Sequence, residues 1–202
     1  MNYSIGFRPF EERDIDFIYQ CKNDEKLNDM IVGQYRKYSR EDAEQWVKGV
    51  IRADRKDMKF WALCTNDSEK RIIGWESLSE IDLDNKTACH HGLVIGDSDY
   101  RDGAAMFDAM LFAMDYVFNT LNLHRLYGCC FSEHNTTTHL LNALGFVKEG
   151  VRRDAYYKNG RYYDLNDYGL LDKEYHLYIE EGRYIIRNLC KCFVKSIRDS
   201  KK

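Results

Sequence analysis

The sequence predicts one α+β domain with a mixed, mostly antiparallel sheet of about six to seven strands flanked by helices. Its first half contains three strand-like runs, FWALCT, RIIGWESLSEI and TACHHGLVIG, which are separated by polar turns. The second half places a long apolar helix between two strands, and such a crossover joins strands that run parallel. Asn159-Gly160, between two alternating aromatic runs, predicts a hairpin that adds antiparallel strands.

The first half should fold as a strand, two helices and a three-stranded meander. A strand is expected around Ile5–Phe10, and apolar residues on one face predict a helix over Arg13–Lys22. Ser39 followed by Asp42 is an approximate capping box, which opens the second helix. The apolar residues of that helix are Ala43, Trp46, Val47 and Val50.

The second half begins with a helix expected from about Gly103 to Leu121, because apolar residues recur there at helical spacing. The run RLYGCCF is short and apolar throughout, which is typical of a buried strand. TTTHLLNAL should form a short helix that Gly145 ends at the C′ position. The hairpin turn follows at Lys158–Arg161.

The sequence suggests a main domain at residues 1–175 and a C-terminal helical extension at residues 176–202. Apolar residues at helical spacing beyond Tyr175 indicate an amphipathic helix whose other face is basic. This helix could pack on its own domain, on a second subunit or on a membrane surface. Its apolar residues are Ile185, Ile186, Leu189, Phe193, Val194 and Ile197.

Charge and composition restrict the function. Lys and Arg number 30 against 33 Asp and Glu, for a formal net charge of −3, so no basic excess favours a nucleic-acid partner. We expect no membrane span, because no apolar run reaches the required length, and no signal peptide at the N-terminus. Seven cysteines without CxxC spacing argue against a metal site and favour reduced, structural thiols. A cytoplasmic protein is therefore expected.

Several motifs resemble one family. IGDSDYR precedes the long helix, DYVFNTLNLHRLY follows it, and LLNALGF leads to the hairpin AYYKNGRYYD. Over about Ile5 to Tyr175 the chain is similar to the GNAT superfamily of acyl-CoA-dependent N-acetyltransferases, above all to the branch acting on ribosomal-protein N-termini and small amines. The resemblance implies acetyl-CoA as co-substrate. No metal and a monomer or homodimer are expected as well. The resemblance also implies an acceptor that is a small amine, an amino sugar or a protein N-terminus.

The family binds the coenzyme A pyrophosphate at the turn before the long helix, with the pattern Arg/Gln-x-x-Gly-x-Gly/Ala. Here a register starting at Arg101 puts Ala104 and Met106 at the glycine positions, whereas a register starting at Tyr100 recovers Gly-x-Ala but loses the Arg. A helix N-terminus can bind a diphosphate through its N–H groups, but an ordinary helix start without ligand is the alternative. The resemblance implies these cofactor-binding residues: Leu93, Val94, Ile95, Arg101, Asp102, Gly103, Ala104, Ala105, Met106, His134 and Asn135.

The family's chemistry needs a base for the acceptor ammonium, and His90, His91 and Glu76 are the candidates. Neighbouring strand residues point to opposite faces, so at most one of the two histidines can face the site, and either could be a surface residue. The resemblance implies an oxyanion donor among the N–H groups of Leu93–Ile95.

Many relatives use a tyrosine as general acid, and Leu141 stands at its position in this chain. Either Thr137, Tyr156 or water returns the proton to the thiolate, or the enzyme is slow. Thr137 could instead cap a helix. In the hairpin, rings and carboxylates suit a cationic amine, and Tyr156, Tyr157, Tyr162 and Asp164 are the predicted acceptor-binding residues. The altered turn and the missing tyrosine support a second hypothesis. In it, the chain is a catalytically degenerate GNAT-fold module with a coenzyme A-binding or regulatory role.

Overall fold

A seven-stranded sheet forms the centre of the fold in the computed structural model, which describes residues 3–29, 31–52, 56–101 and 103–200. Its spatial order is β1-β2-β3-β4-β5-β7-β6. β4 and β5 pair in parallel, whereas the pairs β1–β2, β2–β3, β5–β7 and β6–β7 are antiparallel. The predicted mixed α+β sheet is confirmed. The strands are β1 (Gly6–Arg8), β2 (Lys59–Cys64), β3 (Ile72–Asp82), β4 (Thr87–Ile95), β5 (Arg125–Phe131), β6 (Val147–Lys158) and β7 (Arg161–Leu171).

Most helices match the sequence pattern, and there are three main differences, one of which is a separate helix over Asp172–Glu180 that was not predicted. A short helix after Asp24 was not predicted; the Asp24 carboxylate accepts the N–H of Leu27 at 3.0 Å and so opens it. The long helix is α-helical only to Asp115 and continues as a π-helical segment over Tyr116–Thr120. The helices are α1 (Ile15–Asn23), α2 (Glu25–Asp29), α3 (Arg40–Arg52), α4 (Ala104–Asp115), α5 (Asn135–Leu144), α6 (Asp172–Glu180) and α7 (Ile186–Asp199).

By internal contacts the chain divides into two compact units, Met1–Ile81 with His91–Ala113 and Asp82–His90 with Met114–Lys202. Both β4 and α4 contribute residues to each unit. The predicted boundary between residues 175 and 176 stays a prediction. None of the helices in the described residues is long and apolar enough to cross a membrane.

In the first unit, the side chains of successive β2 residues pack into two separate hydrophobic cores, because side chains alternate between the faces of a strand. Ala62 belongs to the core that β3 forms with α1 and α3, whereas Leu63 belongs to the core formed with α4. The predicted capping box at α3 is confirmed, since the Ser39 hydroxyl accepts the N–H of Asp42 at 3.0 Å and the Asp42 carboxylate accepts that of Ser39 at 2.9 Å. β1 is shorter than expected because Pro9 lacks an N–H for the ladder.

In the second unit, the turn predictions are confirmed. Gly145 ends α5 with a φ of 93°, and Asn159 and Gly160 join β6 to β7 with φ values of 51° and 82°. β6 departs from simple alternation, however, because its pairing with β7 shifts register at two places. α7 packs against α5, where the Ser196 hydroxyl lies 2.9 Å from Nδ1 of His139 and Leu189 is fully buried.

Candidate active site

The turn between β4 and α4 belongs to the first unit and packs closely against its β3 and α1. The N–H groups of Gly96 and Asp97 both donate to the carbonyl of Ile73, at 2.9 and 3.0 Å. A Cβ at position 96 would lie 2.3 Å from Sγ of Cys21 and 2.6 Å from the ring of Phe17, so only glycine fits there. The close packing fixes the point at which the chain leaves β4.

Arg101 closes this turn from the other end. Its guanidinium donates to the carbonyl oxygens of Ile95 at 2.9 Å and Gly96 at 2.8 Å. Arg71 adds a second tie, with a hydrogen bond of 2.7 Å to the carboxylate of Asp97. The Arg101 side chain is thus engaged by main-chain carbonyls, and what it contributes to the site is the shape of the turn.

The start of α4 has the geometry expected of an anion-binding helix N-terminus. Gly103 adopts a φ of +98°, and among the described residues, its chain neighbours aside, no atom lies within 4 Å of the place where its Cβ would be. The first helical bond joins the N–H of Phe107 to the carbonyl of Gly103 at 3.1 Å, so Ala105 and Met106 lie in the first turn. Gly103 is the left-handed residue, which favours the register starting at Tyr100. Asp102 lies outside the described residues.

The end of β4 approaches β3 unusually closely. Val94 and Ile95 are buried and Leu93 is half-buried. A Cβ at Gly74 would lie only 2.1 Å from the carbonyl oxygen of Val94, so glycine is required at this position of β3. The predicted oxyanion segment is therefore a fixed piece of backbone immediately before the turn.

Glu76 is fully buried within β3. It pairs with Trp61 of β2, and paired residues share a sheet face. Trp61 packs edge-on against Phe112 of α4, with ring centroids 5.2 Å apart, so Glu76 lies on the α4 side of the sheet. One oxygen of its carboxylate accepts the N–H of Ser77 at 3.2 Å.

The two candidate histidines differ in exposure. His90 is half-buried and belongs to the second unit, where its carbonyl oxygen approaches the position of a Cβ at Gly128 to 3.2 Å. His91 is exposed and belongs to the first unit. As neighbours in a strand they point to opposite faces.

His134 and Thr137 meet at the start of α5. Nδ1 of His134 lies 2.9 Å from the hydroxyl of Thr137. Burial lowers the pKa of His134 below its ordinary value, which keeps the imidazole neutral at pH 7. His134 occupies the N-cap position and Asn135 opens the helix, so Thr137 is the third helical residue and its hydroxyl contacts the side chain of the N-cap residue; its role stays a prediction.

The hairpin does not bring its four predicted acceptor-binding residues to one face. Tyr156 is half-buried and packs against the ring of Phe131 at 5.8 Å. Tyr157 and Tyr162 form a cross-strand pair that is 52% and 62% exposed, with ring centroids 5.0 Å apart. Asp164 alternates onto the face of Tyr162, but its carboxylate accepts the N–H of Asp154, at 2.9 Å, in the irregular part of β6.

The other polar residues of the hairpin serve the fold. Asp167 accepts three hydrogen bonds from Arg152, the shortest at 2.7 Å. Tyr168 is buried, with its hydroxyl 3.5 Å from that of Thr138. Within the described residues, no three His, Cys, Asp or Glu side chains are arranged to hold a metal.

This combination of mixed sheet, fixed strand end and helix N-terminus agrees with a match of residues 4–147 to the family described as "Acetyltransferase (GNAT) domain". The chain belongs to this family. Among curated relatives, the spermidine N(1)-acetyltransferase of Vibrio cholerae serotype O1 is 27% identical over 175 residues, covering 87% of this chain and 97% of the relative. The [ribosomal protein uS5]-alanine N-acetyltransferase of Escherichia coli K12 is 31% identical over 96 residues, covering 48% and 49%.

A solved structure, spermidine N-acetyltransferase from Vibrio cholerae in complex with CoA and spermine, superposes with a TM-score of 0.75. It is 24% identical and covers 87% of this chain and 99% of its own, which confirms the fold. The predicted activity is confirmed: the chain is an N-acetyltransferase that uses acetyl-CoA and transfers the acetyl group to an amine. The hypothesis of a degenerate, non-catalytic module therefore gives way to that of an enzyme.

Proposed function

We propose that this acetyltransferase acts on a small cationic amine, with polyamines ahead of amino sugars and protein N-termini. The extent of similarity carries the proposal: the spermidine enzyme of Vibrio cholerae matches over 97% of its length, the ribosomal-protein enzyme of Escherichia coli over 49%. The exposed rings of Tyr157 and Tyr162 support it, because aromatic faces attract alkylammonium groups. A cytoplasmic location and a monomeric or homodimeric state are part of the same proposal.

The start of α4 fits the diphosphate of acetyl-CoA. The first-turn N–H groups and the positive end of the helix dipole favour an anion, and the space beside Gly103 lets it approach the backbone. We assign the diphosphate to the segment Arg101–Met106 and the oxyanion donor to Leu93–Ile95. His134 and Asn135 remain cofactor contacts proposed from the family resemblance.

We assign the general base to His90. Acetyl-CoA supplies a thioester that a neutral amine can attack, and an alkylammonium with a pKa near 10 must first lose a proton. Glu76 has no exposed surface and pairs with Trp61 on the α4 side, whereas His90 is half-buried as a residue, with its Nε2 atom buried. Glu76 is then a structural residue of the β3 core.

We assign proton return to Thr137. Its hydroxyl is hydrogen-bonded to the neutral imidazole of His134, which holds it in one orientation. A hydroxyl held in this way can give its proton to the departing thiolate and take one back from solvent water, while the proton that the amine loses passes through His90 to solvent, so the protons balance. It replaces the tyrosine whose position Leu141 occupies.

A screen of acceptors tests the proposal. Thiol release from acetyl-CoA is measured with spermidine, spermine, aminoglycosides, nucleotide-linked amino sugars and short peptides, at equal concentration and ionic strength. Polyamines should give the highest kcat/KM, followed by amino sugars. Efficient turnover of peptide N-termini, with no response to any small amine, contradicts the acceptor assignment and leaves the acetyltransferase activity itself intact.

A further inference from the structure

Lys22, in the last turn of α1, points its ammonium at three aromatic rings. Nζ lies 5.7 Å from the ring centroid of Tyr38, 5.1 Å from that of Trp46 and 5.4 Å from that of Trp75. All three distances fall within the roughly 6 Å over which a ring face attracts a cation. We call Tyr38, Trp46 and Trp75 the aromatic cage.

The cage is assembled from three separate parts of the first unit. Trp46 comes from α3 and Trp75 from β3, and their rings are 6.1 Å apart and inclined at 57°, so they form a corner. Tyr38 closes it from the segment before α3. Asn23, at the end of α1, holds Tyr38 in place, since its side chain accepts the Tyr38 N–H at 3.0 Å and donates to the Tyr38 carbonyl at 3.1 Å.

The walls of the cage are supported from behind. Trp46 also packs edge-on against Phe10 at 5.5 Å and Phe60 at 5.9 Å, and the guanidinium of Arg36 lies 4.4 Å from the ring centroid of Tyr38. Arg36 is itself anchored at 3.4 Å to the carboxylate of Asp42. The cage is therefore built by packing that does not depend on Lys22.

Lys22 is held there without a carboxylate. Among the described residues its ammonium makes no ion pair and no hydrogen bond, so the ring faces are its contacts. Burial lowers its pKa, with the nearby Arg36 acting in the same direction. Its side chain is long and flexible, so rotation about its bonds is the motion that would take the ammonium out of the cage.

We propose that the aromatic cage is a binding site for the ammonium group of an alkylamine, and that Lys22 occupies it as an internal competitor. An external alkylammonium enters when the Lys22 side chain swings out, and it meets the same three ring faces. The site binds its ligand independently of acetyl transfer, so it goes beyond the proposed acceptor. Rings arranged in this way are a recurring solution for recognising alkylated ammonium ions.

The test titrates n-butylammonium chloride, an analogue of the lysine side chain, into the protein without acetyl-CoA, with NaCl matched for ionic strength. Tryptophan fluorescence reports binding, because two of the three tryptophans form the cage. Lys22→Met keeps the length of the side chain and removes its charge, and Lys22→Gln provides a second variant if the first fails to fold. Lys26→Met, on α2, is the matched control.

Lys22→Met should bind n-butylammonium saturably and at least tenfold more tightly than the wild type or Lys26→Met. Adding Tyr38→Leu to Lys22→Met should weaken binding at least fivefold, whereas adding Tyr19→Leu, an exposed ring on α1, should leave it unchanged. The proposal is overturned if Lys22→Met and the wild type bind n-butylammonium with equal affinity, or if Tyr38→Leu does not change that affinity. Absence of saturable binding in folded Lys22→Met and Lys22→Gln overturns it as well.

Discussion

Nε of Arg101 lies 2.9 Å from the carbonyl oxygen of Ile95, so a cation in the turn before α4 binds back onto the strand that leads into it. A second bond, to the carbonyl of Gly96, fixes the guanidinium plane. The positive charge at this position therefore shapes the turn, and the assigned diphosphate site depends on main-chain N–H groups that the turn orients.

Arg101→Met should loosen this turn and raise the KM for acetyl-CoA about tenfold, the effect of losing hydrogen bonds to a charged group. The kcat should change less than twofold at saturating acetyl-CoA. Arg40→Met is the control, because its pairing with Asp16 is exposed on both sides and should contribute little. Steady-state kinetics of both variants make the measurement. Equal effects of the two substitutions contradict the role given to Arg101.

His90→Gln should lower kcat by a factor on the order of 10²–10⁴, the usual contribution of a general base. Acetyl-CoA binding should stay within twofold of the wild type, since the role assigned to His90 is toward the acceptor amine. His91→Gln, one residue along on the opposite face, should be nearly neutral. Loss of activity and acetyl-CoA binding together in His90→Gln identifies a structural residue instead.

The pair Arg8 and Asp14 predicts a large effect on stability. The two side chains are 7% and 1% exposed and share two hydrogen bonds, of 2.8 and 2.7 Å. Asp14→Asn leaves the buried guanidinium with only the half-exposed Glu11 carboxylate, 3.8 Å away, and should reduce the free energy of unfolding by about 3 kcal/mol. Glu133→Gln breaks the exposed pair with Arg161 and should cost less than about 1 kcal/mol. Urea denaturation compares them, and similar losses refute the prediction.

The lowered pKa of His134 predicts a pH dependence of stability. Between the folded pKa and the ordinary value of about 6.5, the unfolded chain binds more protons than the folded one, so stability falls as the pH falls through this window. His134→Gln should therefore lose less stability than wild type between about pH 7 and 5. Thermal unfolding at several pH values measures this, with His124→Gln, an exposed histidine, as control. Parallel curves for wild type and His134→Gln contradict the prediction.

The sequence predicts elements well where local chemistry decides them. The Ser39–Asp42 box, Gly145 and the Asn159-Gly160 turn each restrict the backbone within a few residues, and all three are confirmed. The π-helical end of the long helix, over Tyr116–Thr120, has no comparable local signal. Apolar spacing alone cannot distinguish an α-turn from a π-turn.

The site was less accessible to sequence reasoning because it depends on which face a side chain occupies. Strand alternation separates Tyr156 from Tyr157, but the register shifts in β6 could not be seen in the sequence. The aromatic cage joins Lys22 to residues up to 53 positions away, and no spacing rule connects them. Which side chains are exposed is determined only once the strands have paired into the sheet.

Binding of acetyl-CoA to Ala104 variants tests the central claim, that the diphosphate lies at the start of α4. Ala104→Glu and Ala104→Gln add side chains of equal size, and only the first adds a negative charge beside the diphosphate. Calorimetry should show saturable one-site binding to the wild type and affinity about tenfold weaker for Ala104→Glu than for Ala104→Gln, a difference that shrinks with added salt. Equal affinities of the two folded variants, or no binding to the wild type at millimolar acetyl-CoA, would contradict the account.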